Sequence, residues 1–126
     1  MKKLYYPVVF HPEEVGFSVS VPDLEGCFTQ GDTLEEALDA IQDAVGLYLE
    51  GESDVPSPSA PGTVTAPKGD FVMLVPFDPL DYQRRHNTRA VKKTLSLPAW
   101  LNEAAEAAHI NFSSVLQEGL KRQLGL

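Results

Sequence analysis

The sequence predicts an α+β protein in two parts, and three observations carry that prediction. Phe17–Val21 (FSVSV) alternates apolar and polar residues with the period of a half-buried strand. Asp32–Gly51 repeats its apolar residues at helical spacing. Residues 89–126 read as a strand, a proline and two short helices, a pattern unlike anything before them.

Leu4–Phe10 (LYYPVVF) is aromatic and β-branched, as strands are. Pro7 brings no amide to a ladder, which predicts an edge position or a bulge. His11–Gly16 (HPEEVG) is a turn, so this strand and Phe17–Val21 form a hairpin. Phe17, Val19 and Val21 face inward, and Ser18 and Ser20 outward. Pro22–Gly26 (PDLEG) is a second turn, and Cys27–Gly31 a short third strand.

The helix of Asp32–Gly51 opens with Thr33 and Glu36 at capping-box spacing. Leu34, Leu38, Ile41, Val45, Tyr48 and Leu49 form its apolar stripe, which should lie on the sheet. Gly51 is a natural stop. Glu52–Gly69 is rich in Pro, Ser and Thr and predicts a mobile loop. Asp70–Phe77 (DFVMLVPF) is continuously apolar and predicts a strand buried in the same sheet. Asp78–Asn87 is polar and predicts an irregular connector. The expected division is therefore a body over 1–80, a linker over 81–88 and a tail over 89–126.

In the tail, Leu95 and Leu97 point one way, and Lys92, Thr94 and Ser96 the other. Pro98 is well placed at a helix start. Trp100, Leu101, Ala104, Ala105 and Ala108 form a stripe over Ala99–His109. Asn111 is a good N-cap for a second helix, with Ile110 and Val115 at staple spacing across it. A unit this small rarely holds itself together below roughly 40 residues without metal, disulfide or partner. The tail should therefore pair with a second copy. Two strands would form an antiparallel ribbon with Lys92, Thr94 and Ser96 on its outer face, fit for a DNA major groove. The free amides at Phe112, Ser113 and Ser114 suit a DNA phosphate.

Charge divides the same way. The net charge is −8. Residues 1–87 hold 5 Lys and Arg against 15 Asp and Glu, whereas residues 88–126 hold 5 against 3. An acidic body repels nucleic acid and attracts a basic partner. Cys27 is the single cysteine, so no internal disulfide forms. The N-terminal apolar run is broken by Pro7 and His11 and reads as a strand, not a signal peptide. No apolar stretch nears the roughly 18 residues of a membrane span. A cytoplasmic location is expected. His11, His86 and His109 lie in different segments without acidic residues at metal-ligand spacing. No phosphate-binding glycine loop is present. No catalytic residue, metal or cofactor is expected, and the protein is not expected to be an enzyme.

Two stretches resemble known families. FSVSVPDLEGCFTQGDTLEEALDAIQDAVGLYLE at 17–50 resembles the body of HicB-type antitoxins, with PDLEGCFTQGDTLEEAL at 22–38 as its most specific part. VKKTLSLP at 91–98 and INFSSVLQEGL at 110–120 resemble the ribbon-helix-helix repressors. The first resemblance implies a partial ribonuclease-H-like β-β-β-α-β domain. A working nuclease of that kind holds divalent metal on carboxylates clustered at strand ends. LYYPVVF has none, which points to a binding module. The implied partner is a HicA-like toxin, a small basic mRNA-cleaving protein whose active site the antitoxin occludes. The second resemblance implies a homodimer on operator double-stranded DNA. Lys92, Thr94 and Ser96 would read bases, and Asn111, Phe112 and Ser113 would anchor phosphate. Lys93 and Phe112 depart from that pattern: Lys93 sits in the inward phase, and Phe112 stands where a polar residue is common. Joining of dimers into higher-order assemblies stays open. The alternatives are a stand-alone ribbon-helix-helix repressor with a ligand-binding N-terminal domain, and a residual nuclease.

Overall fold

The computed structural model describes residues 2–126. It divides into a body reaching to Arg89 and a tail from Ala90 to Leu126.

The body runs β1 (Leu4–Pro12), β2 (Phe17–Ser20), β3 (Phe28–Gly31), α1 (Leu34–Leu49), β4 (Phe71–Phe77) and α2 (Pro79–His86). Its four strands form one sheet in the order β3-β2-β1-β4, with every pairing antiparallel. The register sets Phe10 opposite Val19 and Tyr6 opposite Val75. Inward-facing residues thus line up across strands. Tyr6, Val8, Phe10, Val19, Val75 and Phe77 form the floor of the core, and Ala37, Ile41 and Val45 of α1 its roof.

The expectation for Pro7 is met locally. Strand β1 lies inside the sheet, but its pairing with β2 covers only Val9–Pro12. At Pro7 the chain has a neighbour on the β4 side alone. Strand β4 differs from its prediction. It lies at the sheet's edge, with Val75 and Phe77 buried and Phe71, Leu74 and Pro76 exposed. Its outward residues happen to be apolar too, which hides the alternation.

Helix α1 begins as predicted. The Glu36 amide donates to Thr33 Oγ1 at 3.1 Å. The return bond differs by one residue, because Glu36 Oε2 accepts from the amide of Asp32 (3.0 Å). The helix crosses β3 closely: a Cβ at Gly31 would meet the Ala37 amide nitrogen at 2.3 Å. Only glycine fits there.

Residues 52–69, expected to be mobile throughout, form neither helix nor strand, yet two tethers hold the first half of the segment. The Tyr6 hydroxyl donates to the Pro56 carbonyl (2.6 Å). The Ser59 amide donates to Asp23 Oδ2 (2.7 Å), and the Ser59 hydroxyl to the same carboxylate.

The irregular connector expected over Asp78–Asn87 is instead α2, so most of the expected 81–88 linker is helical. Its signals were present but short. Asp78 accepts from the amides of Leu80 (3.0 Å) and Asp81 (3.3 Å), Pro79 takes the first turn, and Arg84, Arg85 and His86 close the last. Helix α2 packs on α1. The Tyr82 ring lies against Gly46 and stacks on His86, with ring centres 4.3 Å apart. Asp43 of α1 meets Arg85 (3.7 Å) and His86 (3.3 Å).

The tail contains α3 (Ala99–Ala107) and α4 (Phe112–Leu124). The turn between them places His109 at φ 55°, where its amide reaches Glu106 O (3.0 Å) and that of Ile110 reaches Ala105 O (3.0 Å). This is a Schellman end with histidine in the usual glycine position. The predicted strand at Thr94–Leu97 is irregular in the single chain. A strand needs a neighbour for its amides and carbonyls, and the single chain supplies none.

Candidate functional site

The predicted DNA-reading residues fall together in the tail. Lys92, Thr94 and Ser96 are all exposed on the segment leading to Pro98. Their inward counterparts Lys93, Leu95 and Leu97 line one hollow with Asn102, Phe112, Val115 and Leu116. The alternation read from the sequence therefore separates a polar side from an apolar one, even without a regular strand. Lys93 stands on the apolar side.

Asn111 caps α4, and its Oδ1 accepts the Ser114 amide at 3.1 Å. The amides of Phe112 and Ser113 belong to the first turn and have no acceptor within the helix. The apolar side of the tail is uncovered. Leu95 is 56% exposed and Leu97 47%, and no large apolar residue of the tail is buried. Patches of this kind mark interaction surfaces.

Among the described residues, no group of three or more His, Cys, Asp or Glu side chains is placed to hold a metal ion. Cys27 is buried, and burial pushes its thiol above its ordinary value, toward the less reactive protonated form. Tyr6 is raised by burial and then by the Asp23 charge, consistent with its hydroxyl acting as a donor to the loop. His11 Nδ1 meets Asp70 Oδ1 at 2.6 Å, and this hydrogen bond raises the imidazole pKa. No helix among the described residues is long and apolar enough to cross a membrane.

One surface escaped the sequence reading. Phe28 (73% exposed) and Leu47 (69%) line a shallow depression with Ala44 and Tyr48. The available signal was that Leu47 falls off the α1 stripe. Phe28, in turn, alternates outward from a strand at the sheet's edge.

Residues 6–119 match the family described as HicB-like antitoxin of bacterial toxin–antitoxin systems. The chain belongs to the HicB-like antitoxin family. Among its relatives, Antitoxin HicB 2 of Photorhabdus laumondii subsp. laumondii is 42% identical over 65 residues, covering 48% of this chain and 47% of that protein. Antitoxin HicB 1 of the same organism is 43% identical over 67 residues, covering 49% and 43%. The match thus spans less than half the length of either relative. A chain of a toxin–antitoxin complex from Streptococcus pneumoniae superposes with a TM-score of 0.55 at 22% identity, covering 97% of this chain and 99% of that one. The crystal structure of antitoxin HicB3 gives 0.51 at 22% identity, over 95% and 97%. At these identities the likeness to this HicB-like chain is one of fold.

Proposed function

We propose that this chain is a non-enzymatic cytoplasmic antitoxin with two separable tasks. Its body, a ribonuclease-H-like scaffold without a nuclease's carboxylates on its first strand, binds a HicA-like mRNA-cleaving toxin and occludes the active site. Its tail dimerises as a ribbon-helix-helix and represses its own operon. Lys92, Thr94 and Ser96 read operator bases, while Asn111, Phe112 and Ser113 hold phosphate at the start of α4.

One observation carries the reading. The tail exposes a row of leucines beside the irregular segment 91–97, which has no pairing neighbour among the described residues, and this supports reading it as half of a two-chain core. A second copy supplies both the missing strand and the missing cover. Family membership supports the toxin-binding half, and the order β-β-β-α-β supports the scaffold. The acidic body suits a basic, RNA-binding partner, whose association it would also steer.

A stand-alone repressor would need an enclosed ligand pocket in its body. One hollow there, lined by Leu49, Phe77 and Tyr82, holds about 140 Å³, below the roughly 300 Å³ where small-molecule sites begin. A larger one of about 390 Å³, bordered by Tyr5, Ala60 and Leu74, lies open at the surface rather than enclosed.

The test is a triple variant, Lys92→Ala, Thr94→Ala and Ser96→Ala. Binding to DNA from upstream of its own gene should weaken at least tenfold, while rescue of cells expressing the toxin stays at the wild-type level. Equal loss of both in a folded variant would refute the two-task reading.

A further inference from the structure

Building on the antitoxin reading, we propose that the toxin docks on the open β3 edge of the body, with Phe28 and Leu47 as its apolar anchors.

Three observations converge on that edge. The first is exposure. Phe28 and Leu47 are two of the body's most exposed large apolar side chains, and they share one depression with Tyr48 and Ala44. Isolated exposed apolar residues are ordinary, but adjoining ones mark a contact. Aromatic residues such as Phe28 are also enriched at protein interfaces.

The second is the strand itself. Strand β3 ends the sheet, so its outer row of backbone amides and carbonyls meets no strand of this chain. Such an edge accepts a strand from a partner.

The third is charge, which says what kind of partner fits. Between Leu4 and Pro67 the sequence has 12 Asp and Glu and no Lys or Arg. Strands β2 and β3 and helix α1 all lie inside this stretch. Glu50 stands one turn beyond Leu47, and Glu25 lies in the turn leading to β3, while Asp43, one turn before Leu47, is shared with Arg85 and His86 of α2. Most of the body's cations lie elsewhere: Lys2 and Lys3 before β1, Lys68 before β4, Arg84 on α2 and Arg89 after it, whereas Arg85 of α2 meets Asp43. An apolar centre with an acidic rim takes a basic protein with apolar side chains of its own. A second copy of this acidic chain is disfavoured, because its rim would meet like charge.

The experiment measures affinity by calorimetry. It uses the full chain and the HicA-like toxin of the same operon, carried as a catalytically inactive variant. Phe28→Ala and Leu47→Ala should each weaken binding about 30-fold, the scale of hot-spot truncation. Both positions are exposed, so melting temperature and operator binding should not move. Tyr5→Ala and Leu74→Ala, exposed on β1 and the far edge strand β4, should bind within twofold of wild type. Wild-type affinity in both Phe28→Ala and Leu47→Ala, or a 30-fold loss in Leu74→Ala, would overturn the placement while leaving the antitoxin reading intact. Failure of the wild-type chain to bind the toxin at all would overturn both.

Discussion

Replacing Gly46 with alanine tests how α2 is seated on α1, and the structure sets both sign and size. A Cβ at Gly46 would lie 2.0 Å from Tyr82 Cε2, 2.3 Å from Cδ2 and 2.5 Å from Cζ. Carbon atoms rest roughly 3.5–4.0 Å apart, so the ring must retreat by more than about 1 Å. Retreat takes Tyr82 away from Phe77, whose ring centre is 5.9 Å off, and breaks its stack on His86. Overpacking of this kind costs about 1–3 kcal/mol. Alanine in a helix interior returns about 1 kcal/mol relative to glycine. The net expectation is a loss of roughly 1 kcal/mol. The decisive measurement is the same substitution made in a Tyr82→Ala background. There the obstruction is gone, and Gly46→Ala should stabilise by about 1 kcal/mol. Urea unfolding of all four proteins at one concentration, followed by circular dichroism, reads the change of sign. Stabilisation by Gly46→Ala in both backgrounds would show that the ring does not rest on Gly46.

Two further outcomes are expected. His11 has its pKa raised by the hydrogen bond to Asp70, so its contribution to stability is complete below its ordinary value of 6.5 and fades as pH rises through the higher folded value. By NMR, the His11 ring should titrate above 6.5 in the wild type and fall toward that value in Asp70→Asn; equal midpoints would remove Asp70 as the cause. On the proposed dimer, Leu97→Ser should weaken pairing. Leu97 is 47% exposed in the single chain, so pairing would cover about half of it in each copy at about 1 kcal/mol each, and the dissociation constant should rise roughly 30-fold. Sedimentation reads this directly, and an unchanged dimer would place the interface elsewhere.

Much of the body was legible because its signals are local. Thr33 and Glu36 announce the start of α1, and Phe17, Val19 and Val21 show their face by alternation. What stayed hidden depended on neighbours distant in sequence. Helix α2 has eight residues and a polar surface, so no apolar stripe marked it. Its stability comes from Tyr82 filling the notch at Gly46, which no local pattern displays. The loop looked mobile because Tyr6 and Asp23, which tether it, lie 50 and 36 residues back in the chain from Pro56 and Ser59. Strand β4 looked buried because both its faces are apolar. In the tail, the polar and apolar sides separated as the alternation indicated, with Lys93 beside Leu95 and Leu97. The Phe28 and Leu47 patch was missed because exposure at a sheet edge is a property of strand order, not of spacing.

Every leucine of the tail is exposed in the single chain, and this has a consequence for how such a protein responds to its own abundance. On the dimer reading, tail stability depends on chain concentration by mass action, because the core exists only in the pair. Well below the dissociation constant, halving the number of chains quarters the number of pairs. The body closes around Ile41 and Phe10 within one chain and needs no second copy. One polypeptide then counts itself at one end and is indifferent to number at the other.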